Sequence, residues 1–306
     1  MSDTTAVRDR YRSRYGAEPE IVERAAPAPW GTGPGPLTAE QLDGFARDGY
    51  LVLRDQLDAT TVATLVDDVR RLAADTELTG SDLMIREPGS DELRSVFDVH
   101  EISPVFASLV ADERLAGVAR QLLDDDVYIH QSRINVKLGH VGRDFPWHSD
   151  FETWHIEDGM PEPRAVSALV ALTPNEAWNG PLLVIGGSHQ WYVSCPGETP
   201  EDNYRTSLRW QEYGVPDRAS LDRLAQHGSL DAFTGTAGSV LFFDCNLMHG
   251  SPSNISPQAR SNAFIVYNAV SNALVEPFGG QEPRPDHIAK RDVRPLGWMP
   301  DRPSSP

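Results

Sequence analysis

The feature that most constrains this chain is a change of character at Val127. From there, short runs rich in β-branched and aromatic residues recur: VYIHQSRINVKL, AVSALVAL, GPLLVIG, GSVLFFD and SNAFIVYNAV, each bounded by Gly, Pro or Asn. Many short strands separated by turn residues build an antiparallel sandwich or jelly roll.

The segment before Val127 reads differently. Residues 1–37 are rich in Arg, Pro and Gly, ending in APAPWGTGPGP, and are expected to form an extended arm. Thr38-Ala39-Glu40-Gln41 has the spacing of a capping box, with Leu42, Phe45 and Ala46 as the apolar stripe and Gly49 as the stop. Tyr50–Leu53 reads as a strand. A longer helix is expected from Asp58, with Val62, Leu65, Val66, Val69 and Leu72 at helical period, and more helix from about Phe106 to Asp124. Residues 76–100 read as a polar, irregular loop. The chain is thus expected to be α+β: an arm, then one domain over 38–306, with a helical part over about 38–126 and a β core over about 127–275.

With 27 basic and 45 acidic residues the formal net charge is −18, which disfavours a nucleic-acid partner. No apolar stretch is long enough for a spanning helix, and the opening MSDTTAVRDRYRSRYG lacks an apolar signal core. A cytoplasmic protein with no membrane contact is the expectation. Cys195 and Cys245 are too few for a disulfide framework and read as reduced thiols. A homodimer is admitted but not fixed by anything in the chain.

The densest chemical signal is FPWHSDFETWH, residues 145–155. If the segment is extended, His148 and Asp150 leave it on the same face. An imidazole beside a carboxylate supplies two thirds of the 2-His-1-carboxylate triad of non-haem Fe(II) oxygenases, and His249 in LMHG is the candidate third ligand. H-x-D alone is weak; His148 could equally be a hydrogen-bonded structural residue, and His155-Ile156-Glu157 repeats the pattern. Arg260, eleven residues after His249, strengthens it. An oxygenase that chelates iron with 2-oxoglutarate needs a cation for the distal carboxylate, and the planar guanidinium suits that role. The run Gln131 to Leu138 alternates, with Gln131, Arg133, Asn135 and Lys137 on one face. That face is either a solvated edge or the wall of a pocket for polar ligands.

These residues together resemble the phytanoyl-CoA hydroxylase superfamily of Fe(II)/2-oxoglutarate dioxygenases. Within it, residues 145–161 are similar to the signature stretch of the ectoine hydroxylase family. Further similarity runs through HQSRINVK, NGPLLVIGGSH, VSCPGETPE, QEYGVP and HGSPSNISPQARSNAFIVYNAVSNAL. The resemblance is dense over about 127–290. It implies a double-stranded β-helix (jelly-roll, cupin-like) core and hydroxylation of ectoine to 5-hydroxyectoine with 2-oxoglutarate, O₂ and Fe(II). It further implies that His148, Asp150 and His249 bind iron, that Lys137 and Arg260 contact 2-oxoglutarate, and that Gln131, Trp154 and Phe264 line the ectoine site. His155 and His189 stay structural. The alternatives are another small-molecule hydroxylase, acting on an amino acid for example, and a non-catalytic metabolite-binding β-roll. Asp150 speaks against a halogenase, whose site lacks the carboxylate.

Overall fold

The computed structural model describes residues 9–87, 91–208 and 211–297. The first eight residues of the opening segment and the centre of the 76–100 stretch lie outside them. The helical part runs β1 (Glu20–Glu23), α1 (Ala39–Asp48), β2 (Tyr50–Leu53), α2 (Ala59–Ala73), β3 (Met84–Arg86), β4 (Leu93–Phe97), α3 (Val99–Ile102), α4 (Pro104–Val110) and α5 (Glu113–Leu123). The caps follow the sequence. Thr38 and Gln41 form a reciprocal capping box, Gly49 ends α1 in the left-handed region at φ 78°, and the Asp58 carboxylate accepts from Thr61 N at the head of α2. Residues 76–100 are a correction. They contain β3 and β4, which extend a sheet; their flanking charges masked the short apolar cores Met84-Ile85 and Val96-Phe97.

The β part follows as β5 (Val127–Lys137), β6 (Phe145–His148), α6 (Asp150–Thr153) with a π-helical turn over Trp154–Asp158, β7 (Ala165–Ala171), β8 (Leu183–Gly186), β9 (Trp191–Ser194), α7 (Tyr204–Ser207), α8 (Arg218–His227), β10 (Ser229–Ala232), β11 (Val240–Asp244), β12 (His249–Ser251) and β13 (Arg260–Ala269). A seven-stranded antiparallel sheet has the order β2-β11-β7-β13-β5-β4-β3, and a four-stranded sheet the order β10-β8-β12-β6. The fold is α+β, a jelly-roll core flanked by N-terminal helices.

Alternation decides what each face of the large sheet meets. Ala168 and Val170, Val240 and Phe242, and Ala263, Ile265 and Tyr267 pack with Phe106, Leu115, Val118 and Leu122 of the helices. Their in-strand neighbours Leu169, Leu241, Phe243 and Phe264 pack instead with Val184 of the small sheet and with Leu182 and Leu247. Both faces are covered, which is why these strands read as nearly continuous apolar runs. The arm is extended but firmly packed: β1 pairs antiparallel with β9, and Tyr11, Ser13, Arg14 and Arg24 are buried. Cys195 and Cys245 are free and buried.

Candidate metal centre and its two cavities

His148 and Asp150 do not share one extended strand. His148 ends β6, Ser149 stands at the turn, and Asp150 opens α6. The turn is pinned to the β11–β12 connection by Phe151 N donating to the Cys245 carbonyl (2.8 Å) and Ser149 Oγ donating to Asn246 Oδ1 (3.1 Å). The same connection leads to His249, which lies opposite His148 in the β12–β6 register. Two adjacent strands and one helix start therefore bring the three side chains together. Their ligand atoms lie within 4.8 Å of one another, with His148 Nε2 3.6 Å from Asp150 Oδ1 and His249 Nε2 3.8 Å from Asp150 Oδ2.

The tautomers are set by the backbone. His148 Nδ1 donates to the Pro146 carbonyl (2.9 Å) and His249 Nδ1 to the Leu247 carbonyl (2.9 Å), so each Nε2 presents its lone pair to the shared point. Burial, with His148 adjacent, pushes the His249 imidazole down to about 4, so it is neutral at physiological pH. Burial would raise the Asp150 carboxyl, but the His249 and His148 imidazoles and the Arg133 guanidinium outweigh it and hold the group at about 2. Two Nε2 donors and one carboxylate on one side of a point suit a first-row divalent ion with its other positions open. Among the described residues this is the one such His, Cys, Asp and Glu cluster.

Two cavities meet at the triad, sharing His148, Arg133, Phe145 and Leu208 as walls. The first is cationic, lined by Arg94, Lys137, Arg143 and Arg260 against Glu87 and Asp144. Arg260 and Lys137 are directly opposed on β13 and β5. Lys137 Nζ donates to Ser251 Oγ (2.7 Å) and the Pro252 carbonyl (2.6 Å). Arg260 is buried with no carboxylate partner among the described residues, its Nε is without a hydrogen bond, and burial lowers it to about 10. An unpaired buried guanidinium is expensive unless an anion binds it. Phe264 lines this first cavity, its ring centroid 5.0 Å from the Arg133 guanidinium carbon.

The second cavity is of mixed charge and is lined by Gln131, Asp150, Thr153, Trp154, Glu157, Asn203, Tyr213 and Arg284. Gln131 Nε2 donates to the Ile288 carbonyl (2.8 Å), fixing which end of its amide faces the cavity. Trp154 presents part of its indole here while packing against Phe151, Met160 and Tyr192 behind. Arg284 forks onto Asp158 at 2.6 and 2.6 Å. Glu157, Asn203 and Arg284 were not foreseen as site residues; nothing local marks them, since distant loops deliver two of the three. His155 and His189 lie off the triad: His155 Nδ1 donates to the Met160 carbonyl (2.8 Å), and His189 Nε2 to the Ala46 carbonyl (3.2 Å). No helix among the described residues is long and apolar enough to cross a membrane.

Comparison with known proteins gives the family. The family model of phytanoyl-CoA dioxygenase (PhyH) matches residues 45–262. The ectoine dioxygenase of Sphingopyxis alaskensis is 53% identical over 288 residues, covering 93% of this chain and 94% of that protein. The ectoine dioxygenase of Streptomyces coelicolor is 47% identical over 295 residues, covering 96% and 98%. The crystal structure of EctD from S. alaskensis with 2-oxoglutarate and 5-hydroxyectoine superposes with a TM-score of 0.84 at 49% identity, covering 93% of this chain and 95% of that one. The same protein with bound Fe gives 0.84 at 48%, covering 94% and 96%. The carbocyclase SnoK, at 21% identity and TM-score 0.61 over 78% of this chain and 88% of its own, shares the fold. The chain belongs to the phytanoyl-CoA dioxygenase family, in the branch formed by the ectoine dioxygenases.

Proposed function

We propose that this protein hydroxylates ectoine: ectoine, 2-oxoglutarate and O₂ give 5-hydroxyectoine, succinate and CO₂, one oxygen atom entering each organic product. The observation that carries the reading is the junction of two unlike cavities at a His148–Asp150–His249 centre. One cavity suits a dianion and the other a small zwitterion. Their meeting point would put both ligands within reach of one metal.

His148, Asp150 and His249 would hold Fe(II), which when bound supplies the oxygen activation that no side chain can. Arg260 and Lys137 would take the distal carboxylate of 2-oxoglutarate, relieving the repulsion between two opposed cations. Trp154 would lay an aromatic face against the delocalised amidinium of ectoine, and Gln131, its Nε2 held on the Ile288 carbonyl, would offer the zwitterion its amide oxygen as an acceptor. Phe264, under Arg133, would shape the boundary between the cavities. Buried side chains of these kinds orient the C–H to be attacked and keep bulk water away from the centre.

The test is product analysis after incubation with Fe(II), 2-oxoglutarate and ectoine, with and without oxygen. Expected are hydroxyectoine and succinate in equal amounts, formed only with oxygen. Succinate without hydroxyectoine would remove ectoine as substrate while leaving an iron dioxygenase.

A further inference from the structure

The arm reaches the substrate cavity from behind. Arg14 is buried although it belongs to the segment before the first helix, and its side chain does not line either cavity. All five of its N–H donors have acceptors. Nε and one Nη2 donor form a fork onto Glu152 (3.1 and 2.8 Å), and the second Nη2 donor reaches Thr153 Oγ1 (3.2 Å). Nη1 donates to Glu157 Oε1 and to Thr199 Oγ1, the latter at 2.6 Å. Ser13 Oγ adds a bond to Glu152 Oε1 (2.5 Å). Every acceptor but Thr199 lies in the segment that begins at Asp150 and carries Trp154. Two of them, Thr153 and Glu157, are themselves cavity walls.

The backbone is committed to the same end. Arg14 N donates to the Cys195 carbonyl and Tyr15 N to the Gly197 carbonyl, both at 2.7 Å. Arg14 and Tyr15 hold left-handed conformations, φ 54° and 43°, that non-glycine residues rarely adopt. A chain that only needed to lie on the surface would have no reason to keep them. Glu157 lies between two guanidinium groups, with Arg284 Nε 3.9 Å from its Oε2. Without Arg14, Glu152 and Glu157 would be buried carboxylates short of a counter-charge, and Glu157 would be drawn onto Arg284, the cation that faces the substrate.

We propose that Arg14 is a positioning residue of the substrate cavity, holding Thr153, Trp154 and Glu157 in place from the N-terminal arm. This rests on ectoine being the substrate. A residue acting this way should govern the affinity for ectoine and its coupling to 2-oxoglutarate consumption. It should leave the metal and co-substrate sites alone, because Arg14 touches neither.

The experiment compares the iron-loaded parent with Arg14→Gln and Arg14→Lys. It reads KM for ectoine, KM for 2-oxoglutarate, the ratio of succinate to hydroxyectoine, and the visible band of the anaerobic iron–2-oxoglutarate complex. For Arg14→Gln, the ectoine KM should rise about tenfold or more, the loss of one or two charge-assisted bonds. The succinate ratio should rise above one, with the band and the 2-oxoglutarate KM nearly unchanged. Arg14→Lys should fall between, since an ammonium keeps the charge but cannot fork onto Glu152 while reaching Glu157. If Arg14→Gln does not fold, Thr199→Val removes one of Arg14's acceptors, outside the cavity lining, and should raise the ectoine KM about two- to threefold. An unchanged ectoine KM in the variants that fold, or ectoine KM, 2-oxoglutarate KM and iron loading worsening in proportion, would overturn the proposal. A parent that does not hydroxylate ectoine at all fails at the substrate reading and takes this proposal with it.

Discussion

Both faces of the seven-stranded sheet are covered, yet along β5 and β13 they carry opposite chemistry. On β13, Ala263, Ile265 and Tyr267 turn toward the helices, and the one polar group among them, the Tyr267 hydroxyl, donates to the Val110 carbonyl (2.9 Å). The same strand turns Arg260, Asn262 and Phe264 toward the barrel. On β5, Ile134 faces the helices while Arg133 and Lys137 face the cavities. Burying charge with incomplete partners is expensive, so a fold keeps it only where a ligand completes the set. Among the described residues, Nε of Arg133 and of Arg260 both lack hydrogen-bond partners. The helix-facing side therefore supplies stability alone, while the barrel-facing side adds function to its own apolar cluster of Leu169, Leu241 and Phe243, and substitutions at the charged positions can separate the two.

The largest effect should come from the triad. Asp150→Asn keeps the shape but replaces the carboxylate with a neutral amide beside two imidazoles. Loss of a hydrogen-bond partner behind a ligand already costs about 10–100-fold in metal affinity. Loss of the ligand itself should therefore exceed about 100-fold, and hydroxylation should vanish with it. Iron titration by equilibrium dialysis checks this; near-parent iron affinity in Asp150→Asn would remove the carboxylate from the site.

Next in size is the helix-facing side. Ile265 is fully buried, and Ile265→Ala should lower unfolding free energy by about 2–5 kcal/mol. Both Michaelis constants of the folded fraction should stay at parent values. Denaturant unfolding beside steady-state kinetics at low temperature separates the two readouts. A changed 2-oxoglutarate KM would mean that the two faces are coupled.

Arg260→Ala is the counterpart on the barrel face. It removes an unpaired buried charge, so the ligand-free protein should lose little stability. The 2-oxoglutarate KM should rise about 10- to 150-fold, from about 1.5–3 kcal/mol per charge-assisted hydrogen bond lost. Arg260→Lys should rescue only in part, for want of the planar fork. A large fall in melting temperature with an unchanged KM would make Arg260 structural.

The division also explains what the sequence made legible. Local signals were read well: the Thr38 capping box, the Asp58 cap, and the long apolar runs of β7, β11 and β13. The triad was visible because two ligands are close in sequence and the third sits in a strand with a recognisable neighbour pattern. The route to it was not. His148 and Asp150 were expected on one extended strand, but the chain turns at Ser149, and tertiary bonds to Cys245 and Asn246 aim the carboxylate. β3 and β4 escaped notice because three to five residues among charges give too short a period to detect. Arg14 and Arg284 could not be singled out. Each is one arginine among many in Pro- and Gly-rich surroundings, and only packing of the arm and the tail brings them to Glu157.

The smallest expected effect tests the barrel face by pH. Burial, with Arg260 alongside, pushes the Lys137 ammonium from the ordinary 10.5 down to about 7. Between those two values the unfolded chain carries a proton that the ligand-free folded protein lacks, so stability attributable to Lys137 rises with pH across that window. A dianion placed against Lys137 favours the charged ammonium. Binding of 2-oxoglutarate above pH 7 should therefore take up a proton, and affinity should fall as pH rises, by at most about tenfold per unit. His249 and Asp150, held at about 4 and about 2, do not titrate there. Anaerobic titration of the iron-loaded protein with 2-oxoglutarate at pH 7 and pH 8 should show a several-fold weakening in the parent and a flat profile in Lys137→Met. Calorimetry in two buffers of different ionisation enthalpy should register the proton uptake in the parent alone. Identical pH profiles in parent and variant would mean that Lys137 keeps its bonds to Ser251 and Pro252 and takes no part in binding the dianion, leaving Arg260 to do so alone.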